Sequence, residues 1–140
     1  MGTGRYAPFS LVFVSPADSW LVTHDGAATR YFSIAPGWHA ITHRDLDERD
    51  EPRTARVLDA LEDYRPASVD AAIARTREIL AWHGEGGAPV CLHQGRMITV
   101  SSSIVWLARG AARYLHGEDR PCESRFTELT DRLTDSEEAG

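Results

Sequence analysis

The chain has 140 residues, 42% of them apolar and 26% charged. That is one domain's length, and no apolar run reaches the ~20 residues needed to cross a bilayer. The net charge is -6 and all 15 basic residues are Arg, which excludes a Lys nucleophile, a Schiff base or a P-loop Lys in this chain.

The charge is uneven. Residues 117–140 hold eight acids and three arginines, so the body is close to neutral and offers no basic stripe for nucleic acid. The start, MGTGRYAPF, has no basic, apolar and small-residue succession of a secretory signal, and a cytoplasmic protein is expected. Two cysteines in a chain of this size make no disulfide framework, and reduced thiols suit the cytosol.

Phe9 to Val14 is a short apolar run of β-forming residues closed by Ser15-Pro16-Ala17-Asp18, a strand and a turn. Trp20 to His24 follows, then Asp25-Gly26, a strong hairpin dipeptide. Thr29 to Ile34 is the returning strand. Pro36-Gly37 is a further turn, and Trp38 to His43 reads as a fourth strand. Arg44 to Glu51 is charged and loop-like. Pro52 suits the first turn of a helix, and Val57, Leu58 and Leu61 give that helix an apolar face ending near Tyr64. Ser68 is a good N-cap. Behind it Val69, Ala72, Ile73, Ile79 and Leu80 recur at helical spacing as far as Trp82. Gly84, Gly86 and Gly87 stop this second helix. Because they end a helix and do not open one, they form no phosphate cradle.

Strands then return at Pro89 to His93, at Met97 to Ala108 with a serine break, and at Ala112 to His116. Phe126, Leu129 and Leu133 mark a short tail helix, and the closing TDSEEAG is expected to be disordered. The predicted class is α+β, in the order ββββ-αα-βββ, with antiparallel sheet and two helices packed on one face. The predicted organisation is a single domain over residues 1–117 and an acidic tail over 118–140.

Six histidines raise the question of a metal. On a strand, His39 and His43 lie about 13 Å apart at ~3.3 Å rise per residue, too far to share one ion. No Cys-x-x-Cys pair exists, so neither metal nor cofactor is expected. Cys91 and His93 alternate onto one strand face about 6.5 Å apart at their Cα atoms. They are candidates for a Cys/His dyad, and Ser101, on the following strand, for a Ser/His pair. The G-x-S-x-G elbow is absent, and a buried thiol between Val90 and Leu92 is more often a packing residue.

Two stretches resemble a known family. Phe32 to His43, continuing through Arg44-Asp45-Leu46-Asp47 to Pro52-Arg53, is similar to the strand, Pro-Gly, strand and loop segment of NRDE-domain proteins, the transport and Golgi organisation protein 2 family. Cys91-Leu92-His93 followed by Ile98 to Val105 resembles the strand pair near that family's end. The positions carrying the match supply the ligand-binding candidates His43, Arg53 and Thr99. The resemblance spans about Ser10 to Gly117. It implies the fold of an N-terminal-nucleophile hydrolase, an αββα sandwich, with a nucleophilic Cys after Met and an Asn-Arg-Asp-Glu motif. Here the second residue is Gly2 and that tetrapeptide does not occur. The expectation is therefore half of such a sandwich, serving as a non-catalytic binding or assembly domain or standing as a truncated family member. Its implied partner is a second copy or a separately encoded N-terminal half, with neither nucleic acid nor membrane. Two alternatives stand beside it: an amide or ester hydrolase completed by a partner chain, and a haem- or metal-binding module using His39, His43 or His93.

Overall fold

The structure, a computed structural model, describes residues 6–134. In chain order they form β1 (Phe9–Val14), β2 (Ser19–His24), β3 (Thr29–Ser33), α1 (Pro52–Leu61) and α2 (Val69–Leu80), then β4 (Ser102–Ala108), β5 (Ala111–Gly117), β6 (Thr127–Glu128) and α3 (Asp131–Thr134). The class is α+β, with two three-stranded sheets in the orders β1-β2-β3 and β4-β5-β6. Among the described residues no helix is long and apolar enough to cross a membrane. The residues fall into two units. One runs to Gly37 and includes Leu107–Gly110; the other comprises Trp38–Trp106 and the chain from Ala111 on.

In the first unit, β1 pairs antiparallel with β2 from Phe9↔His24 to Val14↔Ser19, and β2 pairs with β3 from Trp20↔Ser33 to His24↔Thr29. The turn at Asp25-Gly26 forms as its sequence requires. The Asp25 carboxylate accepts the Ala27 and Ala28 N–H groups at 2.9 and 2.8 Å, and Gly26 takes a positive φ of 99°, which glycine adopts without a Cβ clash. Those two backbone hydrogen bonds hold Asp25 below the usual carboxylate range. Leu21 is buried, but every residue of β1 and β3 is exposed.

The second unit holds the helices. Glu51 caps α1 by accepting the Thr54 N–H at 2.7 Å and the Thr54 hydroxyl at 3.0 Å, and Pro52 takes the first helical turn. Ser68 caps α2 through the Ala71 N–H. Tyr64 ties the end of one helix to the start of the next by donating its hydroxyl to Ala71 O at 3.0 Å. Ile73 of α2, Ile104 of β4 and Leu115 of β5 are buried together, with Val69, Leu80 and Phe126 packed against them. The chain beyond Gly117 joins this unit: β6 pairs with β5 through Leu115↔Glu128 and His116↔Thr127.

Three predicted strands differ. Trp38 to His43 is not a strand, because Asp47 folds the chain back on it. With φ at 58°, Asp47 donates its N–H to Ala40 O, while its carboxylate accepts from Ala40 N–H and His39 Nδ1 at 2.8 and 2.6 Å. The predicted order therefore loses its fourth strand. Pro89 to His93 is a loop pinned at both ends, as described below. The long strand begins at Ser102, not Met97, whose side chain and those of Ile98 and Val100 are exposed. The tail helix shortens to Asp131–Thr134 because Thr127–Glu128 goes to the sheet. The reading of the last residues as disordered falls, from residue 135 on, outside the described residues.

Candidate metal centre

The loop that leaves α2 closes on itself. Trp82 O accepts the N–H groups of both Val90 and Cys91, at 3.0 and 2.9 Å, which sets His83 beside Cys91. Arg56 of α1 holds the span between them. Its guanidinium donates to His83 O at 2.9 Å, Ala88 O at 2.7 Å and Glu85 O at 3.1 Å, and it lies over the Trp82 ring, 4.5 Å from the centroid. Gly87 allows this approach. A Cβ there would stand 3.0 Å from Arg56 Cδ, and the φ of 144° strains any other residue. Arg53 adds a bond from Nε to Pro89 O at 2.9 Å.

Past Cys91 the chain is fixed again. Thr99 accepts the Leu92 N–H on its hydroxyl at 2.9 Å and donates its own N–H to Leu92 O. A tight turn after β5 brings the remaining cysteine: Glu123 and Ser124 both donate N–H to Arg120 O, so Cys122 lies on that turn.

These three supports bring His83, Cys91, His93 and Cys122 together, their ligand atoms all within 4.8 Å of one another. Cys91 Sγ lies 3.5 Å from Cys122 Sγ and 3.5 Å from His93 Nε2, and His93 Nε2 lies 3.1 Å from Cys122 Sγ. A tetrahedral zinc with bonds of ~2.3 Å to sulfur and ~2.0–2.1 Å to nitrogen has ligand-to-ligand edges of about 3.4–3.8 Å. The Cys91, His93 and Cys122 triangle is close to one face of that tetrahedron. The His83 ring stands perpendicular to His93, 4.7 Å between centroids, on the exposed side of the cluster. A cleft of about 310 Å³ lined by His83, Cys91, His93 and Gln94 opens there. Cys91 is buried and both thiols are free. Burial, with the neighbouring Cys91, pushes the Cys122 thiol above the usual cysteine range.

The candidates read from the sequence divide accordingly. Cys91 and His93 are brought together, though by a pinned loop and not by strand alternation. Arg53 and Thr99 brace the backbone on either side of Cys91. Ser101 is exposed in the segment before β4, and the serine that meets a histidine is Ser103, 2.8 Å from His116 Nδ1 across the hairpin. His43 is exposed, and His39 turns to Asp47. The expectation of no metal rested on the His39–His43 spacing and on the missing Cys-x-x-Cys. Neither signal reaches His83 and Cys122 beside Cys91-x-His93, because Cys122 lies 29 positions past His93 and only the β4–β5 hairpin returns it. The sole local signal was the Cys-x-His pair.

No family model, curated protein or solved structure matches the chain.

Proposed function

We propose that this chain is a non-catalytic metal-binding domain and that its metal is zinc, held by His83, Cys91, His93 and Cys122. The observation that carries this reading is the convergence of two thiols and two imidazoles within 4.8 Å. A mixed sulfur and nitrogen set suits zinc over harder cations. Four protein ligands fill a tetrahedral shell and leave no open position for a reacting water, as in structural zinc sites. The centre joins the end of α2 to the turn after β5, so metal binding ties distant parts of the second unit. Free thiols this close suit a reducing compartment, and a cytoplasmic location is part of the proposal. So is membership of the NRDE-like group, supported by the residues quoted above, with the two helices covering one face of the second sheet as half of a sandwich.

The test is zinc titration against a chromophoric chelator, with cobalt substitution. One equivalent should bind, and cobalt should give the visible bands of a tetrahedral thiolate site. Cys91→Ser and Cys122→Ser should each weaken binding at least a hundredfold. Wild-type protein that takes up no metal, or binding untouched by both variants, overturns the reading. The purified protein should leave activated amides and esters intact.

A second reading concerns assembly with another copy of this chain. β1 is an edge strand without a charged residue, and Leu11, Phe13 and Val14 are 48, 53 and 58% exposed. An uncharged edge invites strand addition, and an antiparallel pairing of β1 with itself satisfies two-fold symmetry. Analytical ultracentrifugation should show a dimer that Val12→Arg dissociates; a monomer at all concentrations refutes it.

A further inference from the structure

We propose that Arg120 keeps the centre in its metal-free form by fixing the tautomer of His93, and that metal binding expels it. This rests on the metal-binding reading above. Arg120 Nη1 lies 3.2 Å from His93 Nδ1. A guanidinium has donors and no acceptor, so Nδ1 must be the accepting nitrogen. A neutral imidazole with an accepting Nδ1 carries its proton on Nε2. That proton points at the sulfurs, 3.1 Å from Cys122 Sγ and 3.5 Å from Cys91 Sγ. The relay runs from Arg120 N–H to Nδ1, and from Nε2–H to the Cys122 sulfur.

Zinc needs the other arrangement. The nitrogen facing the sulfurs is Nε2, and it must offer a lone pair to the metal. The ring proton then sits on Nδ1, where metal-bound histidines donate it to a carboxylate, a carbonyl or water. With Arg120 in place, that N–H faces a second N–H. Two donors 3.2 Å apart make no hydrogen bond, and the cationic guanidinium also opposes a dication beside it. Arg120 therefore has to leave His93 when the metal binds. It is held where it is by Glu123, whose carboxylate lies 3.3 Å from its Nε. It also sits on the turn that carries Cys122, so the ligand and its competitor move with one backbone. Arg120 is thus a positioning residue that sets the metal affinity of the centre without touching the metal.

Three proteins test this: wild type, Arg120→Gln and Arg120→Lys. The glutamine is uncharged and its amide oxygen can accept from Nδ1–H, whereas the lysine remains a charged donor. Imidazole ¹⁵N shifts of the metal-free proteins report the tautomer directly. Wild type and Arg120→Lys should show the proton on Nε2, and Arg120→Gln should move it to Nδ1. Zinc competition should then give at least tenfold tighter binding for Arg120→Gln and wild-type affinity for Arg120→Lys. Equal affinity in all three leaves the metal reading standing and overturns the role of Arg120. Metal-free wild type with the proton on Nδ1 overturns it whether or not the variants fold. Absence of zinc binding by wild type removes the metal reading, and this inference with it.

Discussion

Removing the Arg56 side chain should loosen the span from His83 to Cys91 without unfolding the helices. The bond to Ala88 O is partly buried, and those to His83 O and Glu85 O are exposed. A hydrogen bond from a charged donor contributes about 1.5 kcal/mol when partly buried, and exposed ones about 0.5 kcal/mol each. The cation–π contact over Trp82 adds about 0.5 kcal/mol. Together these hold the span by about 3 kcal/mol. In Arg56→Ala, metal binding must order the span itself, and 1.4 kcal/mol is a factor of ten in affinity. Zinc affinity should therefore fall about 100- to 150-fold, mostly through His83, while far-UV circular dichroism stays that of wild type. Chelator competition on the folded variant is the assay. Affinity within threefold of a metal-binding wild type would show that the Arg56 bonds do not organise the ligands.

Further outcomes follow from other contacts. Glu51→Ala should cost about 2–3 kcal/mol in urea unfolding, from the lost cap and from the Thr54 hydroxyl left alone, since Thr54 is fully buried. In a Thr54→Val background the cost should drop to about 1 kcal/mol, and equal costs in both backgrounds refute the buried-hydroxyl account. Hydrogen bonds from Arg113 and Thr130 hold Glu128 below its ordinary 4.5. A lowered carboxylate stabilises the fold above its unfolded value and loses that contribution as pH falls through the folded one. Stability measured downward from about pH 4.5 should decline more steeply in wild type than in Arg113→Met, and identical acid limbs count against the pairing. Hydrogen peroxide should convert the metal-free thiols of Cys91 and Cys122, 3.5 Å apart, to a disulfide with release of two waters, and bound zinc should block this. Intact mass after oxidation distinguishes a disulfide from sulfinic acids, which would show that the sulfurs do not meet.

The legible parts of the fold were those whose causes are local. Pro52 and Ser68 mark helix starts, Asp25-Gly26 makes its hairpin, and the apolar face of α2 finds Ile104 and Leu115. Apolar alternation misread Trp38 to His43 because a single residue ten positions or fewer away, Asp47, satisfies the backbone that a strand would have paired. No periodicity encodes that competition. It depends on an aspartate tolerating a left-handed φ and on its carboxylate reaching Ala40.

The centre was half legible for a related reason. Spacing rules for metal sites describe ligands on one turn or one strand, and Cys91-x-His93 is such a pair. The other two ligands come by different routes. His83 is near Cys91 because Trp82 O takes two N–H groups and Arg56 fills the loop, a closure written in Gly86, Gly87 and an arginine from another helix. Cys122 is near because β4 and β5 form a hairpin that returns the chain, after which the turn at Arg120 points its sulfur inward. Neither route leaves a fixed spacing between ligands. The same holds for Arg120: as a lone arginine in a polar loop it carries no signal, and its role follows only from the nitrogen it meets. A guanidinium on the outer nitrogen of a ligating histidine is the wrong partner for bound metal and the right one for the metal-free ring. For that reason the tautomer of His93, a property of one proton, is where this centre is most directly put to the test.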